Sequence, residues 1–394
     1  MINITDKEKC NACTACTSIC VRGCITMHED NEGFLYPKVD QSLCNNCGLC
    51  EIVCPIIHQR PSVPISNLDI YACYNKNDEI RRLSSSGGIF TLLSEKVLVE
   101  GGVVFGSCFD HNFSVKHDFT ENNHELEIFR GSKYLQSRIE DNYQKTEKFL
   151  KEGRKVLFSG TPCQIAGLKN YLRKDYKNLI TVDFACHGVP SPKVFRIYLE
   201  QSFLKNKNEK IKDIKFRDKS EGWKKFNFAI TMQDKNKYCR TIKERLDTNV
   251  YMKGFLNNLY LRPSCYVCQV KSFSSGSDIT IADFWGIEKI HPEMDDDKGT
   301  SLAIINTEEG REFFNIIKES LCLIPSSLNK AVQYNPCLVK PVVYNTKRDV
   351  FFKNFETQNI NLLINKLTKI KFNKQLKNFI LHTLYKAKLI IKLR

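Results

Sequence analysis

Cys10-Asn-Ala-Cys13-Thr-Ala-Cys16-Thr-Ser-Ile-Cys20 and its echo, Cys44-Asn-Asn-Cys47-Gly-Leu-Cys50-Glu-Ile-Val-Cys54-Pro55, decide how the first part of this 394-residue chain folds. Three thiolates at three-residue spacing wrap one corner of an iron–sulfur cubane, because the short loops between them let the sulfurs converge. The fourth cysteine of each run starts a helical turn and, in two-cluster ferredoxins, ligates the other cluster. The expectation is therefore two [4Fe–4S] clusters, one on Cys10, Cys13, Cys16 and Cys54, the other on Cys44, Cys47, Cys50 and Cys20. Paired zinc ribbons are the alternative, but zinc takes four ligands and these eight come as three plus one. Val21 stands where the pattern usually has proline, which alters a turn and no ligand. Cys24 is surplus and reads as a buried structural thiol.

Working outward, eighteen cysteines, nine of them in the first 54 residues, suit either a disulfide scaffold or metal binding. The opening MINITDKEKC has no apolar leader core, and no apolar run approaches the ~18 residues of a membrane span. The reading is a cytoplasmic chain whose clustered cysteines bind metal. Hydrophobic residues at 42% and charged residues at 26% are ordinary for a globular protein, and the length allows further domains behind a cluster module.

Residues 60–69 (RPSVPISNLD) read as a linker. Beyond it helix and strand patterns alternate: helices over 88–99, 141–152 and 163–174, strands over 102–109, 155–160 and 179–185. That alternation predicts an α/β domain, with an antiparallel insertion between 211 and 234. Three loops stand out. Ser84-Ser-Ser-Gly-Gly88 precedes a helix, where open backbone N–H groups can take a pyrophosphate, although Ser and Gly also cap ordinary helices. No G-x-G-x-x-G fingerprint follows a strand. Gly160-Thr-Pro-Cys163-Gln164 and Ala185-Cys186-His187-Gly188 each follow a strand, and parallel strands would bring Cys163 and Cys186 to one sheet edge. With Cys265 and Cys268 of Arg262-Pro-Ser-Cys-Tyr-Val-Cys they form a candidate third site, open at this stage to a cluster, zinc or unligated thiols.

The motifs SSSGGIF (84–90), GSKYLQS (131–137), GTPCQIAGL (160–168), CHGVPSP (186–192), RPSCYVC (262–268) and SDITIADFWG (277–286) together resemble the beta-subunit family of coenzyme F-420 hydrogenases and dehydrogenases. Its relatives include the reductases acting on 7-hydroxymethyl chlorophyll. The resemblance implies an FAD- and [4Fe–4S]-dependent oxidoreductase, with FAD in the α/β domain. Carried over, Ser85, Ser86, Gly87 and Gly88 would hold the FAD phosphates. Ser132, Lys133, Tyr134 and Gln136 would line the flavin, with Lys133 stabilising negative charge on the reduced ring. Cys163, Cys186, Cys265 and Cys268 would hold a third [4Fe–4S] cluster. Lys133 and His187 are the catalytic candidates, His187 as a proton relay or a hydrogen-bonded structural residue. Flavin exchanges hydride on one side and single electrons with cubanes on the other.

The expected architecture is thus α+β/α/β. A bacterial-type two-[4Fe–4S] ferredoxin domain (1–60) leads into an α/β flavin-binding domain in two parts (70–150 and 151–330). A basic amphipathic helical tail (340–394) follows. The net charge is +15; residues 357–394 hold nine Lys or Arg and no acid, a local +9. Apolar positions Ile360, Leu363, Ile364 and Leu367, then Leu376, Phe379, Ile380 and Leu384, suggest a helix pair for peripheral contact with the inner face of a membrane, or a helix packed on the body. The expected partner is a ferredoxin-like electron carrier or a partner oxidoreductase subunit. No nucleic-acid motif is present. A non-catalytic electron relay serving a partner enzyme is the alternative function.

Overall fold

The computed structural model describes residues 1–206 and 208–369. In the N-terminal module, strand β1 (Ile25–Glu29) pairs antiparallel with β2 (Leu35–Val39). The short helices Ala15–Ser18 and Leu49–Ile52 follow the two cysteine triplets. The chain then enters the body through β3 (Asp69–Asn75), β4 (Val103–Phe109), β5 (Val115–Thr120), β6 (Val156–Ser159) and β7 (Leu179–Phe184). Strands β8 (Glu209–Asp218), β9 (Asn227–Asp234) and β10 (Cys239–Arg245) form a separate antiparallel sheet, and β11 (Ile279–Asp283), β12 (Ser301–Ile305) and β13 (Leu321–Pro325) return to the main one.

The main sheet has eight strands in the order β13-β3-β12-β11-β7-β6-β4-β5. β4, β6, β7 and β11 run parallel, which aligns their carboxyl ends along one edge; the flanking strands are antiparallel. The helices expected over 88–99, 141–152 and 163–174 occur as Ile89–Val99, Asn142–Lys151 and Pro162–Leu172. Ile89, Leu93 and Val97 cover one face together with Phe313, Phe314 and Ile317. Tyr143, Ile165 and Leu168 cover the other, and Cys13, Ala15, Ile19 and Val53 of the N-terminal module share that core.

Through that shared core the module packs on the body, with residues 60–69 connecting the two. Side chains stitch the two together, with Arg348 gripping Glu32 (Nη1–Oε1 2.9 Å) and Asn170 donating to the His58 carbonyl at 3.0 Å. Part of the tail packs on the body too. Helix Ile360–Thr368 buries Ile360, Leu363 and Ile364 in the core beside Tyr251, Phe255 and Phe351, so the body already covers the apolar face proposed for a membrane. The second half of that proposed pair (Leu376, Phe379, Ile380 and Leu384) lies outside the described residues. Among the described residues no helix is long and apolar enough to cross a membrane.

Candidate functional site

Each cysteine triplet is bent by left-handed residues at matching places. Ala12 (φ 50°) and Thr14 (φ 64°) serve the first, Asn46 (φ 56°) and Gly48 (φ 76°) the second. Ala and Thr adopt this conformation at a cost, and its repetition at equivalent positions marks loops wound around a common centre. Cys10, Cys13, Cys16 and Cys54 line one small cavity, closed by Ile2, Ile4, Pro37 and Ile56. This is the three-plus-one grouping expected from spacing. A cubane spreads its thiolates over separate irons, and four thiols around one cavity fit that group. Burial pushes Cys16 up to about 12 and Cys13 well above the ordinary thiol range, so both thiols stay protonated without a compensating metal.

At the other end of the module Ile2 donates its amide to Cys50 Sγ at 3.3 Å, and Cys47 is exposed. Cys24, buried as expected, stands 3.3 Å from Cys20. Its bond to Cys20 pushes Cys24 up to about 12. Burial works against the Cys20 thiolate, yet the hydrogen bond from Cys24 and the backbone amides outweigh it and lower Cys20. Cys24 is therefore a hydrogen-bond neighbour of an expected ligand, a placement its spacing did not disclose.

The third cysteine group gathers at the carboxyl edge of the parallel strands. Cys163 follows β6 at the start of the helix Pro162–Leu172, and Cys186 follows β7. Cys265 and Cys268 lie in and just beyond the short helix Pro263–Tyr266. Cys163 responds to the charge of Cys265 and Cys268, and Cys186 to that of Cys163, Cys265 and Cys268. Burial is the largest influence on Cys163, Cys265 and Cys186, pushing Cys163 up to about 12, Cys265 to about 11 and Cys186 well above the ordinary thiol range.

A buried polar stitch fixes the Cys163 loop. Thr161 and Gln164 form a reciprocal cap on the helix, and Gln164 Nε2 donates to Ser137 Oγ at 2.9 Å. Ser137 Oγ lies 3.0 Å from His117 Nδ1, while His117 Nε2 lies 2.9 Å from the Ser159 carbonyl. A carbonyl only accepts, so Nε2 carries the proton and Nδ1 accepts from Ser137. Burial pulls His117 down to about 4. An imidazole that charges more readily unfolded than folded makes stability rise with pH between about 4 and 6.5. Over that window urea midpoints are expected to fall with acid by up to roughly 3 kcal/mol of stability. His117→Asn should show a shallower fall; an identical slope refutes the assignment.

Arg262 is the residue that sequence reading quoted without giving it a role. It is fully buried, and Nε donates to the Cys10 carbonyl at 2.7 Å, Nη1 to Gln136 Oε1 at 3.1 Å and Nη2 to the Leu35 carbonyl at 3.0 Å. Its cation sits 4.2 Å from the Tyr36 ring centre. None of these hydrogen-bond partners is a carboxylate. The first cysteine group packs at Gly167 against the helix that carries Cys163, where an added Cβ would lie 2.9 Å from Cys13 Cβ, 3.0 Å from Cys13 Sγ and 3.0 Å from Tyr143 Oη. Gly167→Ala is expected to destabilise by about 1–3 kcal/mol through overpacking and to displace Cys13, measured as iron lost from the N-terminal module. Full iron content with unchanged stability would show that the contact yields freely.

The residues expected at the flavin divide. Ser132 donates from both its amide (2.7 Å) and its hydroxyl (2.9 Å) to Ser85 Oγ, and Gly87 donates its amide to Ser301 Oγ at 2.9 Å. Gly88, at φ 83°, ends the loop as the cap of the helix Ile89–Val99 with no side-chain bond to its first amides. Lys219 donates to the Ser86 carbonyl at 3.0 Å, and Tyr134 packs edge-on against Phe216. Ser85, Ser86, Gly87, Gly88, Ser132 and Tyr134 thus belong to one neighbourhood, with Lys133 at its border. The Lys133 ammonium donates to the Arg130 (3.1 Å) and Gly131 (3.2 Å) carbonyls, and burial lowers it to about 8. Gln136 points elsewhere, donating to the Asn11 carbonyl at 3.2 Å beside a cavity of about 240 Å³ between module and body. His187 Nε2 lies 2.6 Å from Asn258 Oδ1, edge-on to Phe255, and burial lowers its pKa. That placement suits the structural histidine better than the relay.

Comparison with known proteins assigns the two regions separately. Residues 9–56 match the 4Fe–4S dicluster domain, and residues 153–330 match the family described as the C-terminal part of the beta chain of coenzyme F420 hydrogenase/dehydrogenase. Among solved structures, the chain is similar to one in the xenon-derivatised F420-reducing [NiFe] hydrogenase complex from Methanosarcina barkeri. The two are 17% identical with a TM-score of 0.44, over 78% of this chain and 92% of that one. No curated protein matches the sequence.

Proposed function

With residues 153–330 a beta-subunit region of the coenzyme F420 hydrogenase/dehydrogenase family and residues 9–56 a 4Fe–4S dicluster domain, we propose that this iron–sulfur protein is an FAD-dependent oxidoreductase. In this reading it moves electrons between a ferredoxin-like carrier or partner subunit and an organic substrate. Cys10, Cys13, Cys16 and Cys54 would hold one cubane, Cys20, Cys44, Cys47 and Cys50 a second, and Cys163, Cys186, Cys265 and Cys268 a third.

The observation that carries the reading is Arg262. A buried guanidinium bonded only to neutral oxygens is costly to hold in the interior unless an anion stands close. Cys10 supplies one of its acceptors, and its charge eases the ionisation of Cys163 and Cys265. Anionic clusters on both sides of Arg262 would neutralise it, and Cys13 and Cys163 both act on Tyr143 between them. FAD, when bound, would exchange hydride with substrate and single electrons with the nearest cluster. The helix start at Gly88 suits its phosphates, Ser85 and Ser132 would fix the loop, and the surrounding apolar core would exclude water.

Anaerobic purification followed by iron counting and flavin extraction tests this. About twelve irons with FAD is expected. About eight irons without flavin would overturn it in favour of a relay subunit, whose chemistry resides in a partner.

A further inference from the structure

Arg217, next to the end of β8, is 8% exposed, yet among the described residues only one nitrogen of its guanidinium has a partner. Nη1 donates to Asp283 Oδ2, and the other oxygen of that carboxylate accepts from Trp223 Nε1 at 2.8 Å. Phe226 and Trp285 lie 4.5 and 5.3 Å from the guanidinium carbon, and Trp285 stacks on Trp223 with ring centres 4.8 Å apart. The guanidinium is therefore held in place while Nε and Nη2, its side-on edge, reach no acceptor. Two charged donors left unbonded in the interior are expensive, and that pair of nitrogens matches two adjacent acceptor atoms.

The free edge belongs to the neighbourhood of the Ser/Gly loop. Tyr134 stands within side-chain contact of Arg217, close enough for each to shift the other's ionisation though short of good hydrogen-bond geometry, and two residues along the chain Lys219 holds the Ser86 carbonyl. Asp283 ends β11, at the same sheet edge as Cys186. Ligands of open α/β sheets bind at that edge.

We propose that the Nε–Nη2 edge of Arg217 binds the pyrimidine edge of the flavin, where a ring nitrogen and its neighbouring carbonyl carry the negative charge of the reduced ring. This rests on the flavin reading above and gives Arg217 the charge-stabilising role that the family resemblance gave to Lys133, whose ammonium faces two carbonyls. A cation at that edge favours the reduced ring, and the planar fork adds affinity that a lysine point charge lacks.

The test uses the full chain with FAD, comparing wild type, Arg217→Lys and the double variant Arg217→Gln/Asp283→Asn, which removes both charges so that Asp283 is not left unpaired. The double variant should weaken FAD binding by about tenfold or more, followed by fluorescence titration. Its flavin midpoint potential should move negative in spectroelectrochemistry. Arg217→Lys should recover the potential more fully than the affinity, a split that a purely structural role would not produce. Iron content should match wild type in both. A double variant that binds FAD with wild-type affinity and potential overturns the role of Arg217 and leaves the flavin reading intact. Wild type that takes up no FAD overturns the flavin reading itself. If the double variant fails to fold, Arg217→Lys decides, since equal affinity in it rules out the fork.

Discussion

Cys265→Ala is expected to leave the chain with about eight irons in place of about twelve, one cubane lost and two kept. Cys265 is held from two sides, with Val189 donating its amide to Sγ at 3.4 Å and Gly188 passing so close that a Cβ there would lie 3.3 Å from Cys265 Cβ. A donor fixed this tightly is not easily replaced by a neighbour. The N-terminal ligands come from a different segment and keep their own cavity, so their irons should remain. Iron and sulfide assays on anaerobically purified wild type and variant decide it, with circular dichroism as the check on folding. Equal iron in the two proteins would end the proposal of a third cluster.

Arg262→Gln should have the largest effect on stability. Its three donors serve the Cys10 carbonyl, the Leu35 carbonyl and Gln136, so they join the first cysteine loop, the hairpin strand β2 and the body at one point. A shorter neutral amide cannot span all three. Orphaned buried acceptors at about 1 kcal/mol each as a lower bound predict a loss of roughly 3 kcal/mol or more. Arg262→Lys keeps the charge without the fork and should recover part of it. Urea unfolding measures the loss. Limited proteolysis between 56 and 69 should quicken in Arg262→Gln as the module loosens. Wild-type midpoints and cleavage rates would mean that the module docks through its apolar core alone.

The three helices and three strands expected between 88 and 185 were readable because each keeps one strong period and sits between turn residues, while β5 among them went unread. The other half of the sheet was not legible. β3, β12 and β13 pair antiparallel across more than 200 residues of sequence, with Ser301 opposite Cys73 and Leu321 opposite Asn75. Nothing local in Asp69–Asn75 announces such partners. The tail left two readings open for the opposite reason. Ile360, Leu363 and Ile364 have the spacing of an amphipathic helix, and that spacing is the same whether the apolar face meets lipid or a protein core.

What the sequence determined by itself is the chemistry of its cysteines. Thiol spacing is a local property, since a few residues of chain suffice to bring three sulfurs around one centre, and the repeat pointed to the four thiols, Cys54 with Cys10, Cys13 and Cys16, that line one cavity. The tertiary structure alone decided which distant charges stand beside them. Arg217 and Arg262 lie in stretches with no motif pointing to their partners. Each acquires its role because folding removes it from water, where every unmatched donor must then find an acceptor within a few ångströms.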